Sequence, residues 1–262
     1  RLDNELLSYA TVTPELARAQ AQRAEEEIQA GRYRGLLHGV PVAIKDLCYT
    51  AGIRTMGGLK VRQQFVPEFN ATVVQKLEDA GAVLLGKLNL TEGALSAYNP
   101  EFPMPKNPWG KELWAGVSSS GSGVAVAAGL CFAAIGTDTG GSIRYPAMAN
   151  GVTGLKPTYG RVSRHGVLAL AESLDHVGPM ARSVADAVAL YNGIAGYDEN
   201  DQTSLNREDS QIAQPAATNL NGLRLGVDAD WYSHGTDPGL LAALEQAIGV
   251  FIALGMECVP VE

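Results

Sequence analysis

The sequence predicts an α/β fold, with helices on both faces of a twisted, mixed or largely parallel sheet. Three observations predict it. Apolar runs of strand length recur at 39–44 (GVPVAI), 82–85 (AVLL) and 131–135 (CFAAI). Stretches with helical start and stop signals alternate with them. Hydrophobic residues make up 46% and charged residues 18% of 262 positions, enough apolar material for a sizeable core.

In chain order, 13–30 reads as a helix, with Thr13 at the N-cap, Pro14 in the first helical position and Gly31 closing it. The run 39–44 is a buried strand ending at Lys45-Asp46. Residues 71–80 form an amphipathic helix ended by Gly81, and 82–85 a second buried strand. The stretch 98–114 carries four prolines and can be neither regular helix nor central strand, so a surface loop is expected. The run 118–123 (SSSGSG) leads into an alanine-rich helix reaching Gly129. A strand over 131–135 and a loop over 136–142 (GTDTGGS) follow. Ser183 with Asp186 resembles a capping box and starts a helix that ends near 193–196. Residues 198–221 are polar and read as a surface excursion. The pattern closes as strand 223–227, helix 238–254 and strand 256–261. A single domain over 1–262 is expected. The chain opens on Arg1 and stops at Glu262 just after a strand, which reads as a piece of a longer protein.

Bulk properties exclude several function classes. A formal charge of −8 argues against a broad nucleic-acid-binding face. No run of about 18 apolar residues suggests a membrane span. Cys48, Cys131 and Cys258 are too scattered for a disulfide framework or a zinc site. Free thiols and a cytoplasmic setting are expected, the opening residues reading as polar helix rather than leader.

Two features carry chemistry. In Thr139-Gly140-Gly141-Ser142 the paired glycines leave the backbone bare, so successive amides can converge on one oxygen as an oxyanion hole beside a serine. The plain alternative is a tight glycine turn with an incidental serine. A serine nucleophile also needs a base. His38, His165, His176 and His234 lie in no recognisable triad pattern, and no GxSxG elbow is present. Lys45 ends an apolar strand, where desolvation would free its lone pair; a solvated surface charge, or a salt bridge to Asp46, explains it equally well.

The serine cluster at 118–122 changes the odds. Together, 39–46 (GVPVAIKD), 116–130 (GVSSSGSGVAVAAGL), 136–147 (GTDTGGSIRYPA) and 151–160 (GVTGLKPTYG) resemble the amidase signature family. Four blocks in order over more than a hundred residues make the resemblance specific, and weaker similarity runs along nearly the whole chain. It implies the amidase-signature fold, a signature core over about 36–196, and a Ser-Ser-Lys triad. Ser142 would be the acyl-forming nucleophile, Ser118 the bridging serine twenty-four residues earlier, and Lys45 the general base. The family oxyanion hole would fall on the amides of Thr139, Gly140, Gly141 and Ser142, with Ser119, Asp138 and Arg144 as supporting contacts. Ser118 would follow a cis peptide bond, here after Val117 where many relatives have glycine. No metal or organic cofactor is implied. A small amide, ester or carbamate would be the substrate, with no nucleic acid or membrane partner and a homo-oligomer compatible with the family.

Other motifs carry less. Residues 81–87 (GAVLLGK) have the spacing of a phosphate loop, but Leu88 stands where Ser or Thr is required and the intervening residues read as strand. Asn70 and Asn89 head formal glycosylation sequons that read as chance. Asp175-His176 and Arg164-His165 could suggest acid–base work, but a hydrogen-bonded structural or surface histidine is the plainer reading. Tyr98, Phe102, Trp109 and Trp114 either line a substrate entrance or pin the proline-rich loop. Of the family's members, a stand-alone amidase fits best, because 91–105 (TEGALSAYNPEFPMP) looks like the free enzymes. The ammonia-releasing component of a glutamyl-tRNA amidotransferase is the alternative, and a non-catalytic binding relative a minor one.

Overall fold

The structure, a computed structural model, describes residues 2–207, 210–212 and 220–261. The chain divides into two compact units, Arg1–Ile212 and Ala213–Glu262. In the first, α1 (Asp3–Leu6) precedes β1 (Tyr9–Val12), α2 (Pro14–Gln29), β2 (Pro41–Lys45), α3 (Thr72–Asp79) and β3 (Val83–Leu88). Then come α4 (Ser120–Ala127), β4 (Ala133–Asp138), α5 (Arg144–Asn150), β5 (Thr153–Gly154), β6 (His176–Ala181) and α6 (Val184–Ile194). The six strands form one sheet in the order β1-β3-β2-β4-β6-β5. β2 pairs in parallel with both β3 and β4, whereas β1–β3, β4–β6 and β5–β6 are antiparallel. The sheet is therefore mixed rather than largely parallel.

Alternation along the central strands builds the two layers. Val42 and Ile44 of β2 pack with Val73, Val74 and Leu77 of α3 and with Leu190 and Ile194 of α6. Ala43 points the other way, joining Leu88, Ala134 and the α4 residues Ala125 and Val126. Each large aliphatic fully buried in this way contributes about 1.5–3 kcal/mol. α2 begins where Pro14 predicts, and Gly31 closes it at φ +75°. Thr13 does not cap it: its hydroxyl donates to Leu84 O across to β3 (2.9 Å). Ser183 does cap α6, accepting from the amide of Asp186.

Five elements depart from expectation. β3 continues to Leu88, and β4 continues through the expected loop to Asp138. α4 starts inside the serine–glycine run, because its polar residues are spoken for by neighbours. Ser122 Oγ donates to Ile135 O (3.0 Å), and a side chain on Gly121 would meet the carbonyls of Asn89 and Ser8 at 2.5 Å. α5 and β6 carry no sequence signal, Pro146 obscuring one and Gly178-Pro179 the other. The polar stretch 198–221 lies partly outside the described residues.

The second unit is a strand–helix–strand. β7 (Arg224–Val227) and β8 (Glu257–Pro260) pair in parallel, joined by α7 (Ala229–Ser233) and α8 (Pro238–Ala253). Asp237 caps α8 by accepting from Gly239 and Leu240. Among the described residues no helix is long and apolar enough to cross a membrane.

Candidate active site

The ends of β2 and β4 and the start of α4 meet in the middle of the sheet. Lys45 is the last residue of β2 and is fully buried. Its Nζ donates to Ser118 Oγ (2.7 Å) and to Thr137 Oγ1 of β4 (2.8 Å). Burial pushes the Lys45 ammonium from 10.5 down to about 7, against weaker opposing effects of Cys48, Asp138 and Asp175. A neutral amine has two protons and one lone pair. Between two hydroxyls it can donate to Thr137 and accept from Ser118, the polarity that general-base catalysis requires.

The peptide bond Val117–Ser118 is cis. Ser119 fixes the serine pair to the rest of the site. Its hydroxyl donates to Thr137 O (3.1 Å) and accepts from Thr137 N (3.2 Å), while its amide donates to Ser142 O (3.2 Å). Ser142 is half-buried, and its hydroxyl makes no hydrogen bond to Ser118 among the described residues. The structure thus brings Lys45, Ser118 and Thr137 into direct contact and tethers Ser142 to them through the backbone of Ser119.

Asp138 organises the loop before Ser142. Its carboxylate accepts from the amides of Gly141 (2.8 Å) and Ile143 (3.1 Å) and from Arg144 Nε (3.0 Å) and Nη2 (2.9 Å). Burial would raise its pKa; the Arg144 guanidinium and the two amides outweigh that and hold it at about 2. The four expected oxyanion donors are consequently not equivalent. Gly141 already gives its one proton to Asp138, whereas the amides of Thr139, Gly140 and Ser142 have no acceptor among the described residues. A side chain at Gly141 (φ +129°) would run into the Tyr145 ring, whereas one at Gly140 would meet nothing within 4 Å.

Two contributors were missed in the sequence. Thr137 lies inside the GTDTGGS block, but only the extension of β4 reveals that its side chain faces Lys45. Asp175, noted in the sequence only as the neighbour of His176, accepts from Thr139 Oγ1 (2.6 Å) and from the amides of Leu170 and Ala171. It pins the far end of the glycine loop. His176 Nδ1 lies within hydrogen-bonding distance of Leu174 O (2.6 Å) and Asp138 O (3.2 Å), a structural placement. Lys87, the lysine of the phosphate-loop spacing, is fully buried and turned into the protein. A cavity of about 490 Å³ adjoins the site, with Thr137 and Thr139 at its wall and Leu47, Ala94, Leu168 and Leu170 among its apolar lining. No cluster of three His, Cys, Asp or Glu suited to a metal occurs among the described residues.

Comparison with known proteins agrees on a family. The family model described as Amidase matches residues 1–262. A Mycobacterium tuberculosis protein named "Putative amidase AmiD" is 54% identical over 229 residues, 87% of this chain and 48% of that protein. The A-type component of the glutamyl-tRNA(Gln) amidotransferase of Geobacter sulfurreducens is 46% identical over 261 residues, 99% of this chain and 54% of its own length. Among solved structures, the native peptide amidase of Stenotrophomonas maltophilia superposes with a TM-score of 0.87 at 38% identity, covering 100% of this chain and 56% of that one. The corresponding amidotransferase component of Thermotoga maritima gives 0.80 at 37% identity, covering 95% and 59%. The chain spans about half the length of the curated relatives it matches. The buried lysine against a serine hydroxyl and the full-length family match agree, and the chain belongs to the amidase signature family.

Proposed function

We propose that the protein hydrolyses the C–N bond of small amides through an acyl-enzyme on Ser142, with Ser118 as proton relay and Lys45 as general base. One observation carries the reading: a fully buried lysine, its pKa lowered to about 7 by burial, lies 2.7 Å from Ser118 Oγ. Neutral Lys45 takes the Ser118 proton as Ser118 takes that of Ser142. Ser142 Oγ attacks the carbonyl carbon, and negative charge develops on the former carbonyl oxygen. The unengaged amides of Thr139, Gly140 and Ser142 are its donors; Gly141 joins them only by leaving Asp138. Each such donor is worth about 2.7–4 kcal/mol in the transition state. The relay then returns the proton to the departing nitrogen, since an amide anion is a poor leaving group. Water attacks the acyl-enzyme by the same relay, releasing the acid and regenerating Ser142. Anilides, esters and carbamates fit the same chemistry.

A second reading has a specific observation behind it. Glutamyl-tRNA(Gln) amidotransferase components match at 45–46% identity over 97–99% of the chain, close behind the 54% relative. In that case the site releases ammonia from glutamine, within a complex. The deciding experiment assays the purified intact protein on an anilide and on glutamine, with Ser142→Ala and Lys45→Ala as controls. Turnover of the anilide by the protein alone, abolished in both variants, supports the amidase. Activity on glutamine that needs added partner proteins supports the amidotransferase. Near-native turnover in either variant overturns the triad.

A further inference from the structure

Lys87 is a buried lysine for which the proton relay has no use. The register of β3 puts it where it is. Val42 lies opposite Leu84 and Ile44 opposite Lys87, so β3 spends one residue more than β2 across this step. Such a bulge turns the residues beyond it to the other face of the sheet. Leu84 packs with Val42 and Ile44, whereas Leu88 packs with Ala43 on the opposite side. Lys87 is thereby carried to the face of Ile44, away from the face on which Lys45 reaches Ser118. Gly86 permits the bulge: its φ is +153°, and a side chain there would collide with the Thr11 carbonyl of β1.

On that face Lys87 Nζ donates to Cys48 O (2.8 Å) and Thr55 Oγ1 (2.7 Å) and lies 3.5 Å from Asp46 Oδ1. Asp46 Oδ2 accepts from the Met56 amide (3.0 Å). Backbone bonds close the same unit: Asp46 N to Leu88 O (2.9 Å), Gly57 N to Asp46 O (2.8 Å) and Cys48 N to Lys45 O (3.1 Å). The turn after the base is therefore tied to the 55–57 segment and to β3 by Lys87, which bonds Cys48 and Thr55, and by the backbone bonds of Asp46. A buried ion pair is weak evidence for a purely stabilising role, because apolar residues of similar volume often replace both partners at little cost.

We propose that Lys87, with Asp46, is a positioning residue for the base. It clamps the turn after β2 and so holds the strand end that aims Lys45 Nζ at Ser118. The inference rests on the reading of Lys45 as general base.

The test is Lys87→Met in the intact protein, alone and combined with Lys45→Ala, assayed on an anilide. A misplacement of about 1 Å at a catalytic group costs about 100-fold, so kcat should fall on that order with KM changed less than about twofold. In the Lys45→Ala background the same substitution should cost less than about twofold, because its effect runs through a base already removed. Asp46→Asn, which keeps an acceptor for Met56, should reproduce both results and serves where Lys87→Met does not fold. Equal losses in the two backgrounds would mean a merely structural role and overturn the proposal, as would an unchanged kcat in both variants. If Lys45→Ala itself retains native kcat, the base assignment has failed and the positioning role falls with it.

Discussion

With Lys45 as the proposed general base, the rate should titrate with this residue, and its burial sets the direction. The proposed relay starts from a neutral amine, so activity should be lost on acidification. With the ammonium pushed down from 10.5 to about 7 by burial, kcat/KM should fall tenfold per unit below that value, about 90-fold between pH 8 and pH 5. A solvated lysine would have about 10³-fold less neutral amine at pH 7 than this site provides. The assay is kcat/KM on an anilide that does not itself titrate between pH 5 and pH 9, so that the limb belongs to the free enzyme. Thr137→Val should move the limb to lower pH, since a hydroxyl accepting from Nζ favours the charged form. A histidine titrates in the same range, so His165→Gln and His176→Gln are the controls and should leave the limb in place. Its loss in either variant, or a midpoint near 4 or near 10, would refute the reasoning.

Further outcomes follow from the same geometry. Ser118→Ala removes the hydroxyl between base and nucleophile and should lower kcat by about 10²–10⁴-fold with KM little changed, measured on the same anilide. Asp138→Asn breaks charge-assisted bonds to Arg144 and to two loop amides; it should cost about 1.5–3 kcal/mol in urea unfolding, and at least tenfold in kcat/KM. The Asp138 carboxyl titrates at about 2 in the folded chain against an ordinary 3.8, so its contribution is complete above about pH 4. It is lost as pH falls through 2, and the Asn variant should lack that part of the acid-unfolding profile. Gly141→Ala would drive a side chain into the Tyr145 ring at a positive φ and should lower Tm. Gly140→Ala meets open space and should keep Tm while lowering kcat/KM, because the added methyl stands beside the amide donors.

What was legible in the sequence was local. Pro14 and Gly31 bounded α2, the Ser183–Asp186 pair started α6, and the apolar run into Lys45 gave β2, because in each case neighbouring residues alone decide the conformation. Elements decided by distant contacts were hidden. β6 contains Gly178 and Pro179, poor strand residues, yet it lies between β4 and β5, and Gly178 is needed because a side chain would strike the Leu155 carbonyl. α4 begins among serines and glycines whose helical state depends on Ile135, Asn89 and Ser8, all remote in sequence. In the site, Lys45 and Ser118 were found through the ordered blocks, and the structure supplied their contact. Thr137 and Lys87 stayed hidden because the role of a buried polar residue depends on where its strand ends and which face it occupies, set here by the extension of β4 to Asp138 and by the one-residue bulge in β3. Asp175 lies in the loop before β6, and its partners Thr139, Leu170 and Ala171 are brought to it only by the folded chain.

In the proposed mechanism Ser142 carries the acyl group while Lys45, through Ser118, activates it. The most direct measurement is intact-protein and peptide mass spectrometry after rapid acid quench of turnover on an activated p-nitrophenyl ester. One acyl group per chain is expected, located on Ser142, absent in Ser142→Ala and formed far more slowly in Lys45→Ala and Ser118→Ala. An acyl group on Ser118 or on any other residue, or turnover with no covalent intermediate and undiminished activity in Ser142→Ala, would contradict it.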